Sequence, residues 1–272
     1  MVTSGVPATP FKLISSASNE LFRAWDDCLS GKGIRKHGLF IVAGHRAIEE
    51  SLKRWPILAT HIILREGRNA ERLEPSIESL VAKISSLQMT HLSGALFDRL
   101  NTAGTPGPLL VMKTPELKQT NFAAPAQGIE ILCALGDPAN VGALLRSAAA
   151  IGASKVILLK ESATPFHPKA VRAASAATLL TPLELGPSIG EVADYARTGG
   201  NKSWIALDMS GTDVFDFTWP ENLRLLIGEE GKGVPSPANF KCLSIPMRNS
   251  VESLNASVAA SLAMFSYRQA QK

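Results

Sequence analysis

Apolar positions along this chain recur at two different spacings, and the alternation between the two predicts an α/β protein. Residues 19–29 carry the helical spacing, with Ser18 placed to cap the helix. Residues 38–43 and 60–64 are short aliphatic or β-branched runs that read as strands. Between them, 45–53 puts Ala47, Ile48, Ser51 and Leu52 on one helical face. A helix over 76–86, a strand near 89–92, a short helix over 94–100 and a strand over 109–113 complete a first domain, 1–114. From 115 to 127 the periodicity fades into Pro115, Asn121, Pro125 and several alanines, the composition of a connecting segment. The second domain, 128–272, opens on a buried-looking strand over 129–135, a helix over 141–151 and a strand over 155–159. A polar loop follows at 162–168, then strands over 204–208, 223–227 and 243–245 and a closing helix over 252–269.

Composition narrows the class without naming a function. Of 272 residues, 45% are hydrophobic and 19% charged, the mixture of a globular protein with packed cores, and the length suits two domains better than one. The net charge of +4 leaves a polyanionic partner open and does not require one. Cys28, Cys133 and Cys242 are odd in number and far apart, with no Cys-x-x-Cys pair, so a reducing cytoplasm is the expected setting. Residues 1–10 have neither a basic start nor an apolar core, and no run reaches the roughly 18 apolar residues of a membrane span, so neither secretion nor membrane insertion is expected. His37, His45, His61, His91 and His167 lack metal-ligand spacing, and no metal is expected.

Three loops of the second half follow strands, the place where open α/β sheets bind ligands. The first is Gly136-Asp137-Pro138-Ala139-Asn140-Val141-Gly142, leading into the helix that carries Arg146. Asn140 is placed to cap that helix, Gly142 permits a close backbone approach, and Arg146 can lean back over the helix mouth; a plain capped helix with a solvated arginine reads equally well here. The second is Gly228-Glu229-Glu230-Gly231-Lys232-Gly233. It lacks the G-x-x-x-x-G-K-[ST] spacing of a phosphate-cradling loop and any G-x-G-x-x-G fingerprint, and its adjacent carboxylates suit a cationic or neutral ligand better than a triphosphate. A flexible surface turn is the bland alternative. The third runs from Ile245-Pro246-Met247 to Ser253-Leu254-Asn255-Ala256-Ser257, where Ser250 or Ser253 could cap the last helix. Asn255 and Ser257 then fall inside its first turns, where such residues need a reason.

Taken together, the three loops resemble the three signature motifs of the SpoU (TrmH) family of RNA ribose 2′-O-methyltransferases, within the SPOUT superfamily. The resemblance spans 128–268 and rests on Asn140-Val141-Gly142 with Arg146, on Gly228 to Gly233, and on Ile245-Pro246-Met247 with Ser253 to Ala259. It implies a knotted α/β domain in which the C-terminal segment threads a loop to form a deep trefoil knot. It also implies S-adenosyl-L-methionine as methyl donor, with Gly228, Ile245, Met247 and Leu254 lining its pocket, and a homodimer through the knotted region. The catalytic set implied is Asn140, Arg146, Glu230, Ser253 and Asn255. Within it, Asn140 would orient Arg146 or the ribose, Glu230 would hold its loop and pair with a cation, and Ser253 with Asn255 would meet the RNA. A guanidinium gives up its proton only at high cost and so makes a poor base, and Arg146 is expected to act as a cation on the developing alkoxide or the adjacent phosphate.

The first domain resembles, more loosely, the substrate-binding domain found before many such catalytic domains, which is similar to kink-turn-binding ribosomal proteins. The resemblance rests on Asn19, on Lys32-Gly33-Ile34-Arg35-Lys36 and on 38–44 followed by Glu49-Glu50, and it implies RNA contacts from Lys32, Arg35, Lys36 and Arg46. Ala43 departs from the pattern, which usually has glutamate there, and Ala177 stands where glycine is common. The expected substrate is ribosomal RNA, with transfer RNA second; the alternative is a catalytically inactive RNA-binding protein of the same fold.

Overall fold

A computed structural model describes residues 12–67, 73–198, 203–235, 240–248 and 253–271. The chain divides into two compact units, one comprising residues up to Pro115 with Phe166–Pro168, the other Glu116–Pro165 with Lys169 onward.

In the first unit β1 (Lys12–Ile14), β2 (Leu39–Ala43), β3 (Ala59–Arg65), β4 (Gln88–Leu92) and β5 (Leu109–Lys113) form one sheet in the order β1-β4-β3-β5-β2. β5 runs antiparallel to both neighbours, and the β1–β4 and β4–β3 pairs are parallel. The helices are α1 (Glu20–Asp27), α2 (Gly31–His37), α3 (His45–Arg54), α4 (Pro75–Val81) and α5 (Gly94–Leu100). Asn19, not Ser18, caps α1, its Oδ1 accepting from the Leu21 and Phe22 amides. On α3 the buried residues are Ala47, Ile48, Ser51 and Leu52, the face that spacing predicts. The basic run at 32–36, which has no apolar periodicity, is nevertheless helical. Ser30 caps it, and Gly38 ends it in the left-handed conformation with φ of 62°.

The second unit has a wholly parallel sheet. Its strands are β6 (Lys118–Gln119), β7 (Ile129–Cys133), β8 (Lys155–Leu158), β9 (Leu183–Leu185), β10 (Trp204–Asp213), β11 (Leu223–Ile227) and β12 (Lys241–Ser244), in the order β12-β10-β11-β7-β8-β9-β6. Its helices are α6 (Pro138–Ile151), α7 (Pro168–Ala174), α8 (Ile189–Thr198) and α9 (Ala256–Ala270). β7 and β11 are buried along their whole length, as central strands covered on both faces must be. Alternate residues go to opposite faces. Ile129, Ile131 and Cys133 pack with α6 and α9, whereas Leu132 and Ala134 pack with α8.

Part of the segment read as a connection belongs to this sheet. Lys118 and Gln119 pair with β9, and Phe122 stacks edge-on against Trp204. Two residues of strand are too short to leave a periodic signature. Helices α7 and α8 also lie outside the expected elements, because α7 is alanine-rich and short and thus shows no amphipathic stripe. Among the described residues, no helix is long and apolar enough to cross a membrane.

Two charges are buried at the amino ends of the central strands. Glu130 of β7 and Arg224 of β11 are 2% and 3% exposed and lie 2.9 Å apart. Arg224 also donates to the Ala124 carbonyl at 2.6 Å, with its guanidinium against both the Phe122 and the Trp204 ring. Lys155 of β8 extends the row, 3.5 Å from Glu130 and 3.0 Å from Glu184. Alternating signs across four neighbouring strands leave no buried charge uncompensated, and removing one member strands another. Glu130→Ala is therefore expected to cost about 3–5 kcal/mol in urea unfolding. Glu184→Ala, at the half-exposed end of the row, should cost no more than about 1 kcal/mol. Equal midpoints for both variants and the parent would contradict this.

Candidate active site

At the carboxyl edge of the parallel sheet, the chain leaves the adjacent strands β7 and β11 in opposite directions. After β7 it enters α6, on the face that also holds α9. After β11 it passes Val234 and reaches Phe240, both packed on the α8 face. Neighbouring strands whose connections diverge in this way leave a crevice at their carboxyl ends, the usual ligand position in such sheets.

Glu230 bridges that crevice. Its Oε2 accepts from the Gly136 and Asp137 amides at 3.0 and 3.2 Å, and its Oε1 accepts from Asn140 Nδ2 at 2.8 Å. Asn140 Oδ1 in turn accepts from Asn255 Nδ2 at 2.8 Å. Asn255 Oδ1 then accepts from the Ser257 amide at 2.9 Å, the Ser257 hydroxyl at 2.6 Å and the Val258 amide at 3.3 Å. One continuous set of hydrogen bonds thus joins all three loops to the start of α9. A carboxylate accepting from several N–H groups makes the stronger, charge-assisted kind of bond.

Each helix mouth is built differently from the expectation. Asp137, not Asn140, caps α6, accepting from the Ala139 and Asn140 amides, and Pro138 occupies the first helical position where its missing N–H costs nothing. Asn140 is thereby freed to face the other loops. Asn255, rather than Ser253, caps α9, so it does not lie inside the helix; Ser250 is outside the described residues. Ser253 is exposed and Leu254 half-buried just before that cap. The second loop is ordered by its own backbone, with the Glu229 and Gly233 amides and carbonyls exchanging bonds of 3.1 and 2.9 Å. Gly231 and Gly233 have φ of 81° and 71°, and a β-carbon on Gly228 would lie 2.4 Å from the Gly233 carbonyl oxygen. The cation in this loop, Lys232, pairs with Glu229 at 3.0 Å and not with Glu230, whose oxygens are taken by N–H donors.

Arg146 stands apart from this network. It lies six residues past Asn140, about 9 Å along the helix axis, is exposed, and makes no ion pair or hydrogen bond with other described residues. The Asn140 amide bonds Glu230 and Asn255, and no hydrogen bond joins it to Arg146 among the described residues. Ile245 packs against the larger core, and Met247 is half-buried two residues on. Burial pushes the Cys133 thiol up, so behind the first loop it serves as an apolar packing group. In the first unit Lys32, Arg35, Lys36 and Arg46 are all exposed. Lys36 is partly neutralised by Asp27, at 3.0 Å, which also bonds His37.

A family model described as the SpoU rRNA Methylase family matches residues 129–265, half of the chain. The chain belongs to this SpoU family. The matched span contains every residue of the network just described. One curated relative, "Ribosomal RNA small subunit methyltransferase G 2" of Syntrophobacter fumaroxidans, is 37% identical over 261 residues, covering 94% of this chain and 49% of that protein; the chain spans about half of that relative's length. The 23S rRNA (guanosine(2553)-2′-O)-methyltransferase RlmP of Bacillus subtilis is 27% identical over 261 residues, covering 94% of this chain and 99% of that one. The 23S rRNA (uridine(2479)-2′-O)-methyltransferase of Streptomyces viridochromogenes is 27% identical over 278 residues, covering 97% and 95%. Among solved structures, the SpoU methyltransferase AviRb from Streptomyces viridochromogenes in complex with the cofactor AdoMet superposes with a TM-score of 0.76 at 25% identity, over 93% of this chain and 98% of that one. The fold is that of these methyltransferases.

Sequence reasoning passed over Asp137 as a cap, although an Asp-Pro step before a helix is a start signal; Ser257, marked as needing a reason, backs Asn255 through its hydroxyl. It also passed over Ser175, which ends α7 with φ of 56°, a conformation costing a non-glycine residue about 1–3 kcal/mol. No local pattern marks such a residue. Glu230→Ala should release the Gly136 and Asp137 amides, so their hydrogen exchange is expected to accelerate at least about tenfold, equivalent to about 1.4 kcal/mol. Unchanged exchange at those two amides would mean that Glu230 does not hold the loop.

Proposed function

We propose that this SpoU-family chain transfers a methyl group from S-adenosyl-L-methionine to a ribose 2′-hydroxyl of ribosomal RNA, with transfer RNA as second choice of substrate, in the cytoplasm. The observation that carries this reading is the hydrogen-bonded convergence of Asn140, Glu230 and Asn255 from loops up to 115 residues apart. A protein that only bound RNA would have no use for that network at a crevice of the catalytic type. The 2′-O-methyltransferase names of the Bacillus and Streptomyces relatives and the AdoMet bound to AviRb support the same reaction and donor.

The residues present fit such a donor. The turn after β11 is closed by glycine backbone with two carboxylates beside it, which suits a sulfonium cation next to a flat base, and Ile245, Met247 and Leu254 supply apolar surface. We assign Gly228, Ile245, Met247 and Leu254 to hold it; when bound, it supplies an electrophilic methyl group on sulfur. The rest falls to the protein. Asn140 and Asn255, locked by Glu230, keep the loops in register, because the gain in methyl transfer comes largely from alignment. Ser253, exposed beside them, faces the RNA. Arg146 acts as a cation that stabilises the oxygen as negative charge develops, or grips the neighbouring phosphate.

The same reading includes a C-terminal segment threaded as a deep trefoil knot. It is supported by the path of the chain, which ends β12 at the sheet edge and yet returns α9 to lie against α6 near the sheet centre. It further includes a homodimer formed through this domain. Val258 and Phe265 are 47% and 51% exposed, and with half-buried Leu262 they make an i, i+4, i+7 apolar stripe on α9. The smaller N-terminal unit, residues 1–114, is the RNA-binding module, with Lys32, Arg35, Lys36 and Arg46 contacting phosphates.

Incorporation of labelled methyl groups into ribosomal RNA from cells lacking the protein tests the reaction, and mapping of 2′-O-methyl sites identifies the nucleotide. Arg146→Ala should abolish incorporation while donor affinity by calorimetry stays within about twofold; undiminished turnover would remove Arg146 from the mechanism. Phe265→Asp should shift sedimentation from dimer to monomer, and an unchanged dimer would place the interface elsewhere.

A further inference from the structure

Helices α6 and α9 pack together, and among the described residues two hydrogen bonds pass between α6 and the capped α9. The first joins Asn140 to Asn255 at the site. The second joins Ser147 to Ser261, whose hydroxyl oxygens are 2.7 Å apart. From Asn140 to Ser147 is about 10.5 Å of helix and from Asn255 to Ser261 about 9 Å, so the helices run in the same sense and are tied at two points equally far apart. The two ties are connected. Ser261 shares its hydroxyl with the Ser257 carbonyl, also at 2.7 Å, and the Ser257 amide and hydroxyl both donate to Asn255 Oδ1. The path from Ser147 through Ser261, Ser257 and Asn255 to Asn140 thus closes on α6. The buried residues that the two helices place in one core cluster are apolar: Leu144, Leu145 and Ala148 from α6, and Ala260, Ala263 and Met264 from α9. Non-directional contacts of this kind fix how closely two helices approach and hold their sliding only loosely, whereas a hydrogen bond has limits of distance and angle. Burial does not force the serine pair. Both residues are half-buried, within reach of water, and Ser261 already has a backbone acceptor.

We infer that Ser147 and Ser261 are positioning residues for methyl transfer: their bond sets the register of α9 along α6, and with it the Asn140–Asn255 contact that holds the third loop against the first. This rests on the reaction proposed above. Neither serine touches donor or RNA in this role. They act through alignment, where a displacement of about 1 Å can cost about a hundredfold in rate. Serine lowers helix propensity relative to alanine, so the hydroxyls are kept at a small cost to both helices.

The test uses the full chain and ribosomal RNA from cells lacking the protein, with Ser147→Ala, Ser261→Ala and the double variant compared with the parent. Alanine is the better helix former, so the variants keep their helices. Each single variant should lower kcat about tenfold, with KM for RNA and donor affinity by calorimetry within about twofold. The double variant should fall no more than about twofold below either single one, because both substitutions remove the same bond. In the protein alone, exchange of the Asn255 side-chain amide protons, followed by NMR, should accelerate at least about threefold in either variant. An unchanged kcat would overturn the proposal, as would a loss confined to KM, losses that multiply in the double variant, or unchanged exchange at Asn255. Failure of the underlying reading is visible separately: the parent would then incorporate no methyl groups, while Asn255 exchange would still report the register.

Discussion

The arrangement of the catalytic unit depends on one carboxylate accepting from one loop while standing on another. Glu230 follows β11, and all three of its donors, two backbone amides and the Asn140 side chain, belong to the segment after β7. Because Oε1 takes an N–H from Asn140, that amide is forced to turn its oxygen outward, and the oxygen then selects a donor, Asn255 Nδ2. The polarity propagates. Asn255 must present its own oxygen to the start of α9, where it satisfies amides that a helix end otherwise leaves unpaired. Acid and amide side chains are not interchangeable along this path, since each position has a fixed direction of donation.

The loops can be held by so few contacts because the sheet beneath them is rigid. β7 and β11 are adjacent, parallel and buried on both faces, so the ends from which the loops depart are fixed in position. The opposite ends of the same strands carry Glu130 and Arg224, a buried pair that removes two groups from water and is compensated by close geometry and the Ala124 carbonyl. The two ends thus divide the work. Charges at the amino ends satisfy one another, whereas at the carboxyl edge the Glu230 carboxylate is satisfied by N–H donors of the first loop.

Much of this was legible in one dimension. The aliphatic runs at 129–133 and 223–227 announce buried parallel strands, and the loops rich in Gly, Asn, Glu and Ser that follow them announce a ligand edge. The motifs were recognisable because each packs its chemistry into a few consecutive residues. Less legible were elements without a period, namely α2 with its run of cations, the alanine-rich α7 and the two-residue β6. Capping was misread at both helices of the site for a common reason. Several residues before each helix carry side chains able to cap, and which one does so depends on what the others bind across the fold.

The sequence by itself determined the α/β class, the strands that lie at the centre of the second sheet, and the residue types available at its carboxyl edge. These follow from hydrophobic period and from backbone preferences of Gly, Pro and Asn, which act within a few residues. Only the tertiary structure decided that Glu230 bonds amides and not a cation, that Asn140 spans two loops, and that Gly142 of the first loop meets Ala170 and Ala173 of α7. Those partners are 90 or more residues apart or on separate helices. Hydrogen bonds of about 3 Å have no counterpart in any local pattern, because they exist only once packing has brought the strands into register.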